Sequence, residues 1–130
     1  MNLKKKTLSS IFLFTNFLHL FFKNDIYYLY SFALLFLSSI FYHETKNNYV
    51  LFFDWLFVYN VAIYGAIILF YNGKFDIYTS IIVICFLLNI FLLYFQRYLI
   101  YKNKNTNTDN YHCLLHFIGS IGHHFIINML

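Results

Sequence analysis

The chain has 130 residues, of which 61% are hydrophobic, 25% aromatic and only 11% charged. A soluble domain has about a quarter of its residues charged, so this composition excludes an ordinary soluble globule. The net charge of +4 is small, and its lysines lie between apolar blocks. This arrangement favours a membrane protein, with no role in nucleic-acid binding.

Five apolar blocks follow one another along the chain and predict an all-α membrane helix bundle in a single domain, 1–130. A helix needs roughly 20 residues to cross the hydrocarbon, with a lower limit near 17. The third, fourth and fifth blocks meet this requirement comfortably, the second is adequate and the first is short. The blocks span residues 8–22, 26–43, 49–71, 77–101 and 111–130.

The first block follows Lys4, Lys5 and Lys6, so it has the basic start and apolar middle of a signal peptide. No small-residue cleavage site follows it, because the next residues read FFKNDIYY. We therefore expect a retained helix that is tilted or partly interfacial, with cleavage as the open alternative.

The lysines predict the orientation in the membrane. If the blocks alternate in direction, most lysines fall on the side of the N-terminus. The positive-inside rule then places the N-terminus in the cytoplasm and the C-terminus across the membrane. The N-terminal side has Lys4, Lys5, Lys6, Lys46, Lys102 and Lys104, and the other side has Lys23 and Lys74.

Polar side chains inside the apolar blocks are candidate functional residues, because they are costly to place in a membrane. Ser39 and His43 end the second block, Asp54 lies just over one turn into the third, and His112 and His116 begin the fifth. The members of each pair are four residues apart and share a helix face. With alternating blocks and about 1.5 Å of rise per residue, all five side chains lie in one thin slab of the membrane.

Three imidazoles, one carboxylate and one hydroxyl at one depth predict a catalytic zinc site. Zinc in such sites takes three protein ligands and keeps a fourth position for water. Two histidines at i and i+4 can present both rings to one ion. The expected metal ligands are therefore His43, His112 and His116. Asp54 is the expected general base, and Ser39 would orient the water or donate to the oxyanion.

A simpler explanation exists for the same residues. His43 could be an interfacial residue at a helix end, and Ser39 could bond the backbone or a neighbouring helix. The alternative function is a small non-enzymatic membrane protein for interaction or accessory roles. In such a protein, the histidines and Asp54 would bond across helices or line a polar cavity.

The remaining polar residues and glycines of the apolar blocks are expected to have structural roles. His123 and His124 lie about 11–18 Å further along the last helix than the other pair, too far to join the same site. We expect them to face a neighbouring helix near His19. The remaining expectations are close helix packing at Gly119 and Gly122, and outward extension toward the membrane surface by Gln96 and Arg97.

Ser39-Ile-Phe-Tyr-His43, then Asp54, then His112-Cys-Leu-Leu-His116 resembles the signature of the alkaline ceramidase family. This family belongs to a superfamily of seven-helix membrane hydrolases that includes the adiponectin-type receptors. The resemblance implies that the three histidines hold zinc while the serine and aspartate attend the catalytic water. The implied reaction cleaves the amide of ceramide to sphingosine and a fatty acid. The implied location is a membrane of the endoplasmic reticulum or Golgi type, for a eukaryotic or viral host.

The chain also departs from that family. It has room for five spans at most, and the missing pair would lie between Asp54 and His112. Trp55 stands where an acidic residue is usual, and Leu115 stands where an aromatic residue is usual. The start, MNLKKKTLSS, lacks the acidic segment that binds calcium in some ceramidases, so we expect no calcium dependence. A catalytically degenerate relative and a homo-oligomer that completes the lipid cavity both remain open.

Overall fold

The structure is a computed structural model in which residues 4–130 are described, and the regular secondary structure of this part of the chain is entirely helical. The predicted all-α bundle is confirmed. The five apolar blocks form the helices, with the first block divided at Ser10. The helices are α1 (Lys5–Ser9), α2 (Ile11–Phe21), α3 (Ile26–Thr45), α4 (Asn48–Asn72), α5 (Ile77–Lys102) and α6 (Asp109–Ile127).

Short polar side chains begin the long helices. The side chains of Asp25, Asn47 and Asp76 accept hydrogen bonds of 2.8–2.9 Å from backbone N–H groups in the first turns of α3, α4 and α5. Each bond satisfies a donor that has no partner within its helix. Lys46 ends α3 in the left-handed conformation, with φ of 51°. The polar links in the sequence therefore supply the residues that cap the helices.

Three helices, α3, α4 and α5, are long and apolar enough to cross a membrane. The chain is therefore a multi-pass membrane protein. α6 has 19 residues but is less apolar, because polar side chains recur along its length. The prediction that the fifth block qualifies comfortably as a span is met only in length, because α6 is not apolar enough to count among the candidate spans of residues 4–130.

The helices pack so that α6 and α3 are each in contact with α2, which lies between them. α5 packs along α6, and α4 packs along α3. The core between α2, α3, α4 and α6 is formed by Leu20, Phe32, Val61, Ile126 and Ile127, among others. This arrangement brings the end of α3, the starts of α1, α4 and α6, and the end of α5 to one end of the bundle.

Two glycines of α6 lie where α5 approaches it. A Cβ on Gly119 would lie 2.7 Å from the terminal amide of Asn89, and one on Gly122 would lie 3.1 Å from Cβ of Cys85. The Asn89 amide also fits hydrogen bonds of 3.1 Å to the carbonyl of Leu115 and the N–H of Gly119. The close helix packing predicted at these glycines is therefore observed.

Candidate metal centre

Three imidazoles meet at this end of the bundle. His43 lies in the last turn of α3, and His112 and His116 lie one turn apart near the start of α6. One ring nitrogen of each lies within 4.8 Å of those of the other two. The Nε2 atoms of His43 and His112 are 3.2 Å apart. Two nitrogens bound to one tetrahedral zinc are separated by about 3.3–3.4 Å, given Zn–N bonds of about 2.0–2.1 Å.

Ser9 fixes the protonation of His116. The Ser9 hydroxyl donates its single proton to the carbonyl of Lys6, at 2.8 Å. Its oxygen also lies 2.8 Å from Nδ1 of His116, so it accepts the hydrogen bond that this nitrogen donates. A neutral imidazole carries one proton, and this leaves Nε2 of His116 with a free lone pair.

Gln96 orients His112 in the same way. The Gln96 carbonyl oxygen lies 3.3 Å from Nδ1 of His112 and accepts the hydrogen bond that Nδ1–H donates, which leaves Nε2 free to bind a metal. A hydrogen bond from the second ring nitrogen to an oxygen is the usual support of a metal-bound histidine. The expectation that Gln96 extends outward is wrong, because it is only 7% exposed and points at His112. Its neighbour Arg97 instead lies over the ring of Trp55, 4.8 Å from the ring centroid, and so links α5 to α4.

Ser39 and Asp54 lie at the same end of the bundle, but neither belongs to the group of three imidazoles. Ser39 is buried with its hydroxyl 3.0 Å from that of Ser10. Asp54 is also buried, and its Oδ1 accepts a 2.9 Å hydrogen bond from Ser38. The serine that contacts the aspartate is therefore the neighbour of the one that the sequence pattern selects.

The short helix α1 closes over the centre and joins α3 to α6. Lys4 donates to the carbonyl of His43 at 3.2 Å, and Thr7 donates to the carboxylate of Glu44 at 2.6 Å. Lys6 forms a 3.0 Å salt bridge with Asp109. This part of the site was missed by the sequence analysis, in which the segment before the first apolar block provided only basic residues.

The remaining histidines lie away from the three-imidazole group, as predicted. Nδ1 of His124 lies 2.8 Å from Nδ1 of His19, which confirms the expected contact between these two residues. His123 instead hydrogen-bonds to the buried hydroxyl of Tyr28 and packs edge-on against Phe32. Neither residue contributes to the centre.

Comparisons with known proteins identify no relative of this chain. No family model matches the chain, and neither the curated proteins nor the solved structures include a significant match. Arguments about function therefore depend on the residues and their geometry.

Proposed function

We propose that the protein is a zinc-dependent membrane amide hydrolase that resembles the alkaline ceramidases and cleaves ceramide to sphingosine and a fatty acid. One observation carries this proposal: His43, His112 and His116 converge, and the contacts with Ser9 and Gln96 leave Nε2 of His116 and of His112 with a free lone pair. A catalytic zinc site needs this donor set and one further open position.

The donor set favours zinc among the common metals. All three donors are neutral imidazole nitrogens, which suit zinc better than the oxygen-seeking magnesium or calcium. The centre lies between packed helices, where His43 and His116 are 4% and 7% exposed. An ion bound there would polarise a substrate carbonyl and make water a better nucleophile near neutral pH.

The chain's own carboxylate would handle the proton in this reaction. Asp54 would accept a proton as water adds to the amide carbon, and would pass it to the departing amine as the C–N bond breaks. Its hydrogen bond from Ser38 holds the carboxylate in a single orientation. The Ser39 hydroxyl contacts the Ser10 hydroxyl at the same end of the bundle. After rotating away from Ser10, the Ser39 hydroxyl would donate a hydrogen bond to the developing oxyanion.

A membrane lipid is the substrate class that suits the location of the centre. The centre lies at one end of a bundle whose long helices are apolar enough to lie in the hydrocarbon. We infer a cytoplasmic N-terminus and, for a eukaryotic or viral host, a membrane of the endoplasmic reticulum or Golgi type. The chain has fewer helices than the seven of the ceramidases, so a second copy of the chain could complete the lipid cavity.

Metal analysis of the purified chain tests the proposal. We expect about one zinc per chain, lost on His112→Ala or His116→Ala and retained on His124→Ala, a histidine of the same helix outside the centre. Purified protein should also release the fluorescent fatty acid from labelled ceramide. Protein that keeps zinc without this activity would be a degenerate relative.

The alternative function is a non-enzymatic membrane protein, and one observation favours it. The 3.2 Å between the Nε2 atoms of His43 and His112 also permits a direct hydrogen bond, if His43 carries its proton on Nε2. In that case the imidazoles would join α3 to α6 without metal. Intact, folded protein that contains no zinc would support this alternative and contradict the enzyme.

A further inference from the structure

A stripe of polar side chains runs along α6, well beyond the two histidines of the metal centre. Its members recur at intervals of three or four, so successive ones are neighbours on the helix surface and the stripe turns slowly around the helix. Such side chains are expensive in a membrane helix and often mark routes for protons or ions. They are Asp109, His112, His116, Ser120, His124 and Asn128.

Side chains of α2 contact two residues of this stripe, Ser120 and His124. Nδ1 of His19 lies 2.8 Å from Nδ1 of His124, and Nε2 of His124 lies 2.9 Å from the hydroxyl of Thr15. The Thr15 hydroxyl is in turn 3.3 Å from that of Ser120. We call these four residues, His19, His124, Thr15 and Ser120, the α2/α6 seam.

The two histidines of the seam have the geometry of a hydrogen-bonded pair. Two nitrogen ligands of one tetrahedral zinc are about 3.3–3.4 Å apart, given Zn–N bonds of about 2.0–2.1 Å. The 2.8 Å between His19 and His124 is shorter and fits an N–H···N hydrogen bond. The pair therefore shares a proton, and it is not a second metal site.

The hydrogen bonds of the seam have a consistent direction. The Thr15 hydroxyl donates to the carbonyl of Phe12 at 2.6 Å, so it accepts the hydrogen bond that Nε2–H of His124 donates. Neutral His124 then has a lone pair on Nδ1, which accepts from Nδ1–H of His19. Each donor points from the far end of α2 toward the middle of the bundle.

A buried acceptor marks the inner end of the seam. Asn16 is 0% exposed and donates to the carbonyl of Ser120 at 3.0 Å, but its Oδ1 has no hydrogen-bond partner among residues 4–130. A buried acceptor of this kind is normally satisfied by an internal water. Such a water would lie beside Ser120, one helical turn or about 6 Å of rise from His116.

We propose that the α2/α6 seam conducts protons between the far end of the bundle and the end that contains the metal centre. A proton binds Nε2 of His19 as Nδ1–H passes its proton to His124, and His124 releases its Nε2 proton to Thr15. The hydroxyls of Thr15 and Ser120, which both donate to the carbonyl of Phe12, turn from it and pass the proton to water beside Asn16. Each group regains one proton for each that it loses, and rotation of the rings restores the first state.

The surroundings of the seam are compatible with this transfer. His123, the neighbour of His124, faces away from the seam and bonds Tyr28. Movement of protons requires neither substrate nor metal, so this proposal stands apart from the proposed hydrolase.

Proton flux into vesicles tests the proposal. The full chain is reconstituted into liposomes that enclose a pH-sensitive dye, and a potassium gradient with valinomycin drives protons inward. We expect faster acidification than in protein-free vesicles, and a loss of this excess on His124→Phe or Thr15→Val. Thr45→Val is the matched control, because Thr45 also donates to a carbonyl of its own helix, that of Phe41 at 2.7 Å, but lies outside the seam.

Thr15→Val preserves the shape of the side chain and decides the question if His124→Phe fails to fold. Wild-type vesicles that acidify no faster than protein-free ones would overturn the proposal. Thr15→Val that conducts as well as the wild type would also overturn it. Zinc content and ceramide cleavage are measured separately, so their failure would leave this result unaffected.

Discussion

The hydroxyl of Ser38 donates a 2.9 Å hydrogen bond to Oδ1 of Asp54, while the adjacent Ser39 contacts Ser10. Consecutive residues of a helix point in directions about 100° apart, so the two serines face different neighbours. Ser38 faces α4 and Ser39 faces the junction between α1 and α2. The orientation of the Asp54 carboxylate therefore depends on Ser38.

Replacement of these serines should separate their roles. Ser38→Ala leaves the buried Oδ1 of Asp54 without its donor, which should cost about 1–3 kcal/mol of unfolding free energy. Ser39→Ala removes one neutral hydrogen bond and should cost about 0.5–1.5 kcal/mol. Denaturant titration in detergent micelles measures both values. A larger cost for Ser39→Ala would contradict the hydrogen-bond assignment.

Asp54→Asn should preserve zinc but abolish turnover. The asparagine carbonyl can still accept from Ser38, so the local structure should hold, whereas an amide cannot act as a base. Loss of a general base typically reduces the rate by about 10²–10⁴-fold. Zinc content and cleavage of fluorescent ceramide are the two measurements. Unchanged turnover would refute Asp54 as the base.

Ser9→Ala should weaken metal binding without removing any ligand. His116 would lose the acceptor that keeps its proton on Nδ1, and changes of this kind usually cost about 10–100-fold in metal affinity. Ser9→Thr keeps the hydroxyl and should restore most of the affinity. Competition with a chelator measures the affinity, and equal values for alanine and threonine would show that Ser9 does not position His116.

Gly65→Ala should destabilise the middle of the bundle. A Cβ at this position would lie 3.0 Å from Cε1 of His123 and 3.1 Å from both Cδ1 of Ile126 and the hydroxyl of Tyr28. Three neighbours would have to move together, and overpacking of this kind costs about 1–3 kcal/mol.

Gly119→Ala provides the comparison for that variant. Its Cβ would meet only the terminal amide of Asn89, which lies at the end of a flexible side chain. The amide has two hydrogen bonds there, with Leu115 and Gly119, and the loss of one of them should cost about 0.5–1.5 kcal/mol. Thermal unfolding in one detergent ranks the two variants, and greater damage from Gly119→Ala would contradict this account.

The convergence of the three histidines was predictable from the sequence because it depends mainly on how deep each side chain lies along the membrane normal. Block lengths give the helices, and alternation with a constant rise per residue places His43 and His112 at one level. The partners Ser9, Gln96 and Ser38 were not predictable, because they depend on the rotation of each helix about its axis. Packing sets that rotation, and adjacent candidates such as Ser38 and Ser39 look equivalent in the sequence.

The first apolar block illustrates the same limit. Its length and basic start indicate either a signal peptide or a short helix, and neither alternative predicts a contribution to the centre. In the structure the block begins as α1, and Ser9 bonds to His116 across 107 residues of sequence. This contact arises from the tertiary packing of α1 against α6, for which a single sequence contains no local signal.

The contact between Ser9 and His116 also has a consequence for biosynthesis. The ribosome makes α1 before α6, so α1 cannot form this contact until α6 has been made and inserted. A nascent chain released before that moment would carry His43 alone of the three imidazoles. The three imidazoles can therefore meet only after synthesis and insertion have passed His116 in α6.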